Sequence, residues 1–170
     1  MKDELFKNAI AENYQKLTRI CYRYFGNIDD AHDAVQDILL KVWINKTKFR
    51  GDSSITTWMF RIATNVCLTT IQKNKREIRV DDFAVLPEYA LQSDEDVTDH
   101  EDSETKLKFL QDFLNRLTPT DRIMVNLYIE NIDSCEIALV TGLSEVNVRT
   151  RIYRIKKQIK KEWEDTNGHR

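Results

Sequence analysis

Glu136-Ile137-Ala138-Leu139-Val140-Thr141-Gly142-Leu143-Ser144-Glu145-Val146-Asn147-Val148 is the stretch that decides the fold. Ala138 is small at the point where a second helix would cross the first. Gly142, four residues on, can take the positive φ that a tight turn requires. Val148, ten residues after Ala138, is the apolar residue that must point back into the angle between two helices, with Leu143 beside it. The three positions together predict a helix-turn-helix.

The helix after that turn has a buried stripe, Val148, Ile152, Ile155 and Ile159, at i, i+4, i+7 and i+11. Its other faces carry Arg149, Arg151, Arg154, Lys156, Lys157, Lys160 and Lys161, seven cations with no acid between residues 149 and 161. Like charges at that density repel, so the helix gives up stability for a positive surface. Phosphates reward such a surface through counterion release. A basic run alone would be a solvated face. Joined to the turn geometry it indicates DNA binding, with Arg149, Thr150, Tyr153 and Arg154 near the N-terminal half, where base edges are reached.

Outward from this motif the chain reads as helical. It has 170 residues, of which only 4 are Gly and 2 are Pro, too few turn formers for many short strands. Apolar spacing predicts a helix over residues 3–25, closed by Gly26. Asp29 or Asp30 is expected to cap a second helix to about Asn45. Phe49–Ser54 is a loop around Gly51, and Ser53 or Ser54 caps a third helix to about Lys75. Further helices are expected over about 104–115, from Thr118-Pro119 to about Asn131, from Asp133 or Ser134 to Val140, and from Ser144 to about Glu164. The fold class is all-α, with two small helical domains, 1–80 and 105–170, joined by a flexible linker over 81–104.

The formal net charge of −2 conceals a strong asymmetry. Residues 1–80 hold 14 cations and 9 acids, residues 81–104 hold 10 acids and no cation, and residues 105–170 hold 12 cations and 9 acids. Two basic blocks therefore flank a very acidic one. Cys21, Cys67 and Cys135 show no ligand or C-x-x-C spacing and read as reduced core thiols of a cytoplasmic protein. No metal site, cofactor or membrane insertion is expected. No nucleophile–base pair or phosphate loop suggests an enzyme.

In the first block, Ala34 or Val35, Ile38, Val42 and Trp43 make an inward stripe. Asp30, Asp33, Gln36 and Asp37 make an acidic outward face that suits water or a basic protein partner. In the third helix Met59, Ile62, Ala63 and Val66 point inward. Trp58, Arg61, Asn65 and Leu68 recur on a neighbouring face, and the segment ends in Lys73, Lys75, Arg76 and Arg79. An aromatic beside cations and an amide suits a strand whose bases lie on a π-face, and equally Trp58 is simply core.

D-A-x-D-x-x-Q-D followed by Trp43, then F-x-G-x-S-S and T-T-W-x-F-R-I-A-x-N, resembles region 2 of bacterial RNA polymerase sigma factors. LTPTDR, EIA…G…V and VRTRIYR resemble their region 4. The order of the two sets and the missing middle domain are similar to the extracytoplasmic-function (ECF) subfamily, over about 8–78 and 106–162. The resemblance implies a transcription-initiation subunit, not an enzyme, that binds core RNA polymerase and directs it to promoters. It implies that Asp33, Gln36 and Asp37 contact the clamp helices of the largest subunit. Phe49, Arg50, Ser53, Trp58, Arg61, Asn65, Lys73 and Arg76 would recognise and melt the minus-ten element. Arg149, Thr150, Tyr153, Arg154 and Lys157 would read the minus-thirty-five element, with Ala138, Gly142 and Val148 as the structural positions of the motif. The acidic linker would enter the channel that later carries nascent RNA, and an anti-sigma factor is an implied partner. His32 stands where the family commonly has Glu, and Cys135 where it more often has a small hydroxyl or charged residue.

A dimeric helix-turn-helix regulator is the main competing reading. It needs a two-fold axis and palindromic sites, and has no use for the Trp58/Arg61/Asn65 face or for Asp33/Gln36/Asp37.

Overall fold

Seven α-helices and one 3-10 turn make up the described part of the chain, which in this computed structural model is residues 2–74 and 100–167. The helices are α1 (Lys2–Phe25), α2 (Ile28–Asn45), α3 (Ile55–Asn74), α4 (His100–Arg116), α5 (Pro119–Ile129), α6 (Ser134–Thr141) and α7 (Glu145–Asn167). The 3-10 turn, Lys46–Lys48, follows α2. There is no strand among the described residues, as the scarcity of Gly and Pro implied. The linker and its acidic run lie almost wholly outside the described residues. α4 begins at His100, four residues before the expected start.

The boundaries follow local chemistry. Gly26 closes α1 at φ +73°, its N–H donating to the Tyr22 carbonyl. Asn27, not Asp29 or Asp30, then caps α2. Its side-chain oxygen accepts from the Asp30 N–H at 2.8 Å while its amide donates to the Asp30 carboxylate. Asp29 and Asp30 fall in the first turn, where negative charge favours the helix dipole. Ser54 caps α3 by accepting from the Thr57 N–H at 3.0 Å. Thr118 caps α5 ahead of Pro119, and Asp133 caps α6. α5 stops at Ile129, and Asn131 takes a left-handed φ of 59°, which a short polar side chain tolerates.

α1 is the central helix. It packs on α2 and α3 on one side and on α4 and α5 on the other, while α6 lies along α3. Phe6, Leu17, Ile20, Ile38 and Met59 are fully buried in the first half, as are Ile123, Met124, Ile137 and Val148 in the second. The two sets form one continuous cluster. Truncating any of the larger ones to Ala is expected to cost about 2–5 kcal/mol.

Polar groups also join the halves. Glu130, the residue that caps the end of α5, accepts two bonds from Arg19 of α1, at 2.7 and 3.0 Å, and a further one from Arg23. Arg23 also donates to the Asn126 side chain at 3.1 Å. Burial pushes the Glu130 carboxyl up, and the two guanidinium groups outweigh it, holding the group below the ordinary glutamate value. Gln111 donates to the Arg23 carbonyl, and Arg122 to the Tyr24 carbonyl.

Cys21 and Cys67 are buried free thiols, as expected for core cysteines. The hydrogen bond between them and their burial push the Cys67 thiol well up. Cys135 departs from that expectation. It sits in the exposed first turn of α6.

Candidate nucleic-acid interface

The helix-turn-helix is α6, its turn and α7. Gly142 adopts φ +75°, ψ +11° and returns its N–H to the Ala138 carbonyl at 2.9 Å. Val148 is completely buried in the angle between the helices, and Ala138 is half-buried at the crossing. Ser144 caps α7 by accepting from the Asn147 N–H. The three motif positions thus do what their spacing predicted.

The cations of α7 differ in their surroundings. Arg151 points back to α5, pairing with Asp121 at 3.0 Å, and Lys156 lies against the Tyr128 ring and hydroxyl. Those two help seat the helix. Arg149, Thr150, Tyr153, Arg154 and Lys157 are all exposed on one stretch of α7. Arg149 is tethered to Glu145 one turn earlier at 2.5 Å, and the Lys157 ammonium lies 4.8 Å from the Tyr153 ring centre. An exposed aromatic with a cation over its face, between two arginines, can present stacking, charge and bidentate donors to a groove.

A second site lies between the C-terminal half of α2 and the exposed face of α3. It is an open cleft of about 390 Å³. Trp58, Arg61, Asn65 and Thr69, at helical spacing, form its α3 wall. Lys41, Asn45 and Lys48 form the other. Of these, the sequence singled out only Trp58, Arg61 and Asn65. The opposing residues are scattered through an amphipathic helix and a 3-10 turn, and nothing local marks them. Their role arises from the packing of α2 on α3.

Trp58 is both packed and accessible. It is half-buried, packing edge-on against Phe6 (5.7 Å between centroids) and Phe49 (5.6 Å), and it still lines the cleft. Phe49 is likewise held in this aromatic group, edge-on to Phe6 at 5.8 Å. Arg50 is exposed in the loop at Gly51, where φ is +83°, and Ser53 is half-buried beside it. Lys73 falls in the last turn of α3, and Arg76 lies outside the described residues.

The acidic face of α2 forms as expected. Asp33 and Gln36 are exposed, and Asp37 is half-exposed and paired with Lys41 at 2.8 Å. His32, next to them, shares a hydrogen bond with Gln36. Leu40 and Ile44 continue this face, 57% and 63% exposed. Sequence reasoning passed over both. Their signal was two aliphatic residues at i+7 and i+11 from Asp33, off the buried stripe.

No group of His, Cys, Asp or Glu able to hold a metal occurs among the described residues, and no described helix is long and apolar enough to cross a membrane.

The Sigma-70 region 2 family matches residues 9–77, and the Sigma-70, region 4 family matches residues 110–159. The ECF RNA polymerase sigma factor SigW of Bacillus subtilis (strain 168) is 27% identical over 169 residues, 95% of this chain and 90% of its own length. The RNA polymerase sigma factor SigV of the same organism is 27% identical over 90% of this chain and 87% of its own. The sigma factor RpoE, solved in complex with the anti-sigma factor NepR from Bartonella quintana, superposes over 95% of this chain and 96% of its own, with a TM-score of 0.73 at 21% identity. CnrH, solved in complex with the cytosolic domain of CnrY, superposes over 95% of this chain and 88% of its own, with a TM-score of 0.67 at 22% identity. At those identities the two structures speak for the fold. The region 2 and region 4 matches, in that order, and the near full-length likeness to SigW place the chain: it belongs to the RNA polymerase sigma factors of the ECF type.

Proposed function

We propose that the chain initiates transcription by three separate surfaces. Asp33, Gln36 and Asp37, continued by Leu40 and Ile44, dock on the clamp helices of the core polymerase's largest subunit. The cleft between α2 and α3 takes the unstacked strand of the minus-ten element, with Arg50 and Ser53 in the loop before α3, and with Lys73 and Arg76 further along the sequence as additional contacts. Arg149, Thr150, Tyr153, Arg154 and Lys157 read the minus-thirty-five element as duplex. The chain performs no catalysis and works in the cytoplasm without membrane insertion. It has two functional domains, 1–80 and 105–170, and the acidic linker between them occupies the path of nascent RNA. An anti-sigma factor, as NepR is for RpoE in that structural relative, is a further partner.

The observation that carries this reading is the cleft. Three cations, two amides and a Trp edge face one open groove. Flexible single-stranded DNA offers both phosphates and π-faces to such a groove, whereas duplex keeps its π-faces stacked. A dimeric regulator has no need of it. Asp33→Arg is expected to lower core-polymerase affinity tenfold or more while leaving upstream duplex binding intact. Asn65→Ala and Lys48→Ala are expected to leave core binding intact and to weaken binding of the holoenzyme to a minus-ten single strand. If Asp33→Arg leaves core affinity unchanged, the docking face is misassigned. If both cleft variants bind the single strand as before, the cleft is.

A further inference from the structure

We infer that Val146 is a specificity-determining residue: its methyl groups meet the C5-methyl of a thymine in the major groove, one or two base pairs from the pair that Arg149 reads. This rests on the reading of α7 as the helix that enters the upstream element.

Val146 is 75% exposed, the most exposed large hydrophobic side chain among the described residues. It stands outside the hydrophobic cluster through which α7 joins the fold. A single exposed aliphatic residue is ordinary on a protein surface. The place of this one gives it meaning.

Val146 is the second residue of α7, in the turn that Ser144 caps. Residues 146, 149, 150, 153 and 157 fall at i, i+3, i+4, i+7 and i+11. Val146 therefore begins the stripe that Arg149, Thr150, Tyr153 and Lys157 continue. Its neighbours in the first turn are committed elsewhere. Glu145 pairs with Arg149 at 2.5 Å, Asn147 accepts from Arg151 Nε at 3.3 Å, and Val148 is fully buried. Arg151 is held in turn by Asp121 of α5. One face of the first turn is thus seated on the protein, and Val146 stands on the other.

The chemistry of the side chain selects its occupant. Docking of a helix-turn-helix brings the N-terminal residues of the second helix to base edges. Val146 has no hydrogen bond to offer there, and nothing to offer a phosphate. Among the bases, thymine alone carries a methyl group in the major groove. Opposite any other base Val146 would desolvate donors or acceptors without pairing them. Residues three apart on one helix face lie about 5–6 Å apart, and successive base pairs about 3.4 Å, which sets the thymine one or two pairs from that of Arg149. The Glu145 ion pair draws the Arg149 guanidinium back over the same first turn.

The test uses holoenzyme assembled from core polymerase and the full chain. Selection from a library of randomised duplexes gives the preferred upstream sequence. The same selection with Arg149→Ala marks the pair that Arg149 reads, by its loss of preference. A thymine is expected one or two pairs away. Replacing it by deoxyuridine removes only the methyl group and is expected to weaken wild-type binding about fourfold, the effect of burying one such group. Val146→Ser is expected to lose the thymine preference and to bind the thymine and deoxyuridine duplexes equally. Absence of a thymine at that place overturns the inference. So does a wild type indifferent to deoxyuridine, or a Val146→Ser chain that keeps the fourfold difference. If no upstream sequence is enriched, or if Arg149→Ala leaves it unchanged, the reading of α7 itself fails and the inference falls with it.

Discussion

Arg149 and Arg151 are two residues apart on α7 and have different work. Arg149 is exposed and paired with Glu145 on its own helix, while Arg151 is turned inward to Asp121 of α5. Arg149→Ala or Arg154→Ala is expected to cost about 1–3 kcal/mol in binding of the upstream element, measured by titration of labelled duplex, with core association unchanged. Arg151→Ala is expected to leave that binding unchanged and to lower thermal stability by at most about 1 kcal/mol, as a surface ion pair does. The sequence counted both arginines in one positive face. It could not separate them, because the partner that distinguishes Arg151 sits 30 positions away in another helix.

At the scale of the element, local rules were legible and packing was not. Ala138, Gly142 and Val148 could be read from spacing because each answers a backbone or steric need of the turn itself. Gly142→Ala puts a Cβ on a left-handed residue and is expected to cost about 1–2 kcal/mol in thermal denaturation, although open space surrounds the position. The cap of α2 was misjudged by two or three residues. Asn27, Asp29 and Asp30 all suit a cap, and only the turn after Gly26 decides that Asn27 takes it. Half of the cleft between α2 and α3 was invisible for a deeper reason. Lys41, Asn45 and Lys48 become a wall only when α2 lies against α3. Leu40 and Ile44 show the converse. They are aliphatic, yet the fold leaves them in solvent beside the acidic face, where a protein partner would cover them.

For the whole molecule, the net charge of −2 averages two basic halves and an acidic connection. That division was legible. The seam between the halves was not, since Arg19 and Arg23 meet Glu130 across 111 and 107 positions. Its pH response has a definite sign. The Glu130 carboxyl is held below its ordinary value of 4.5, so its contribution is fully present above that value and is lost as pH falls through the lower, folded one. The charged groups facing it are Arg19 and Arg23, which stay protonated throughout. Thermal stability is therefore expected to hold from pH 7 down to 4.5 and to fall only at lower pH, a loss that Glu130→Gln should lack. The central claim, that this chain gives core polymerase its promoter choice, is tested most directly by run-off transcription with purified core on candidate promoter templates. The account predicts a discrete transcript that requires the chain and disappears with Asp33→Arg. A chain that forms no complex with core, and instead binds a palindrome as a dimer, would contradict it.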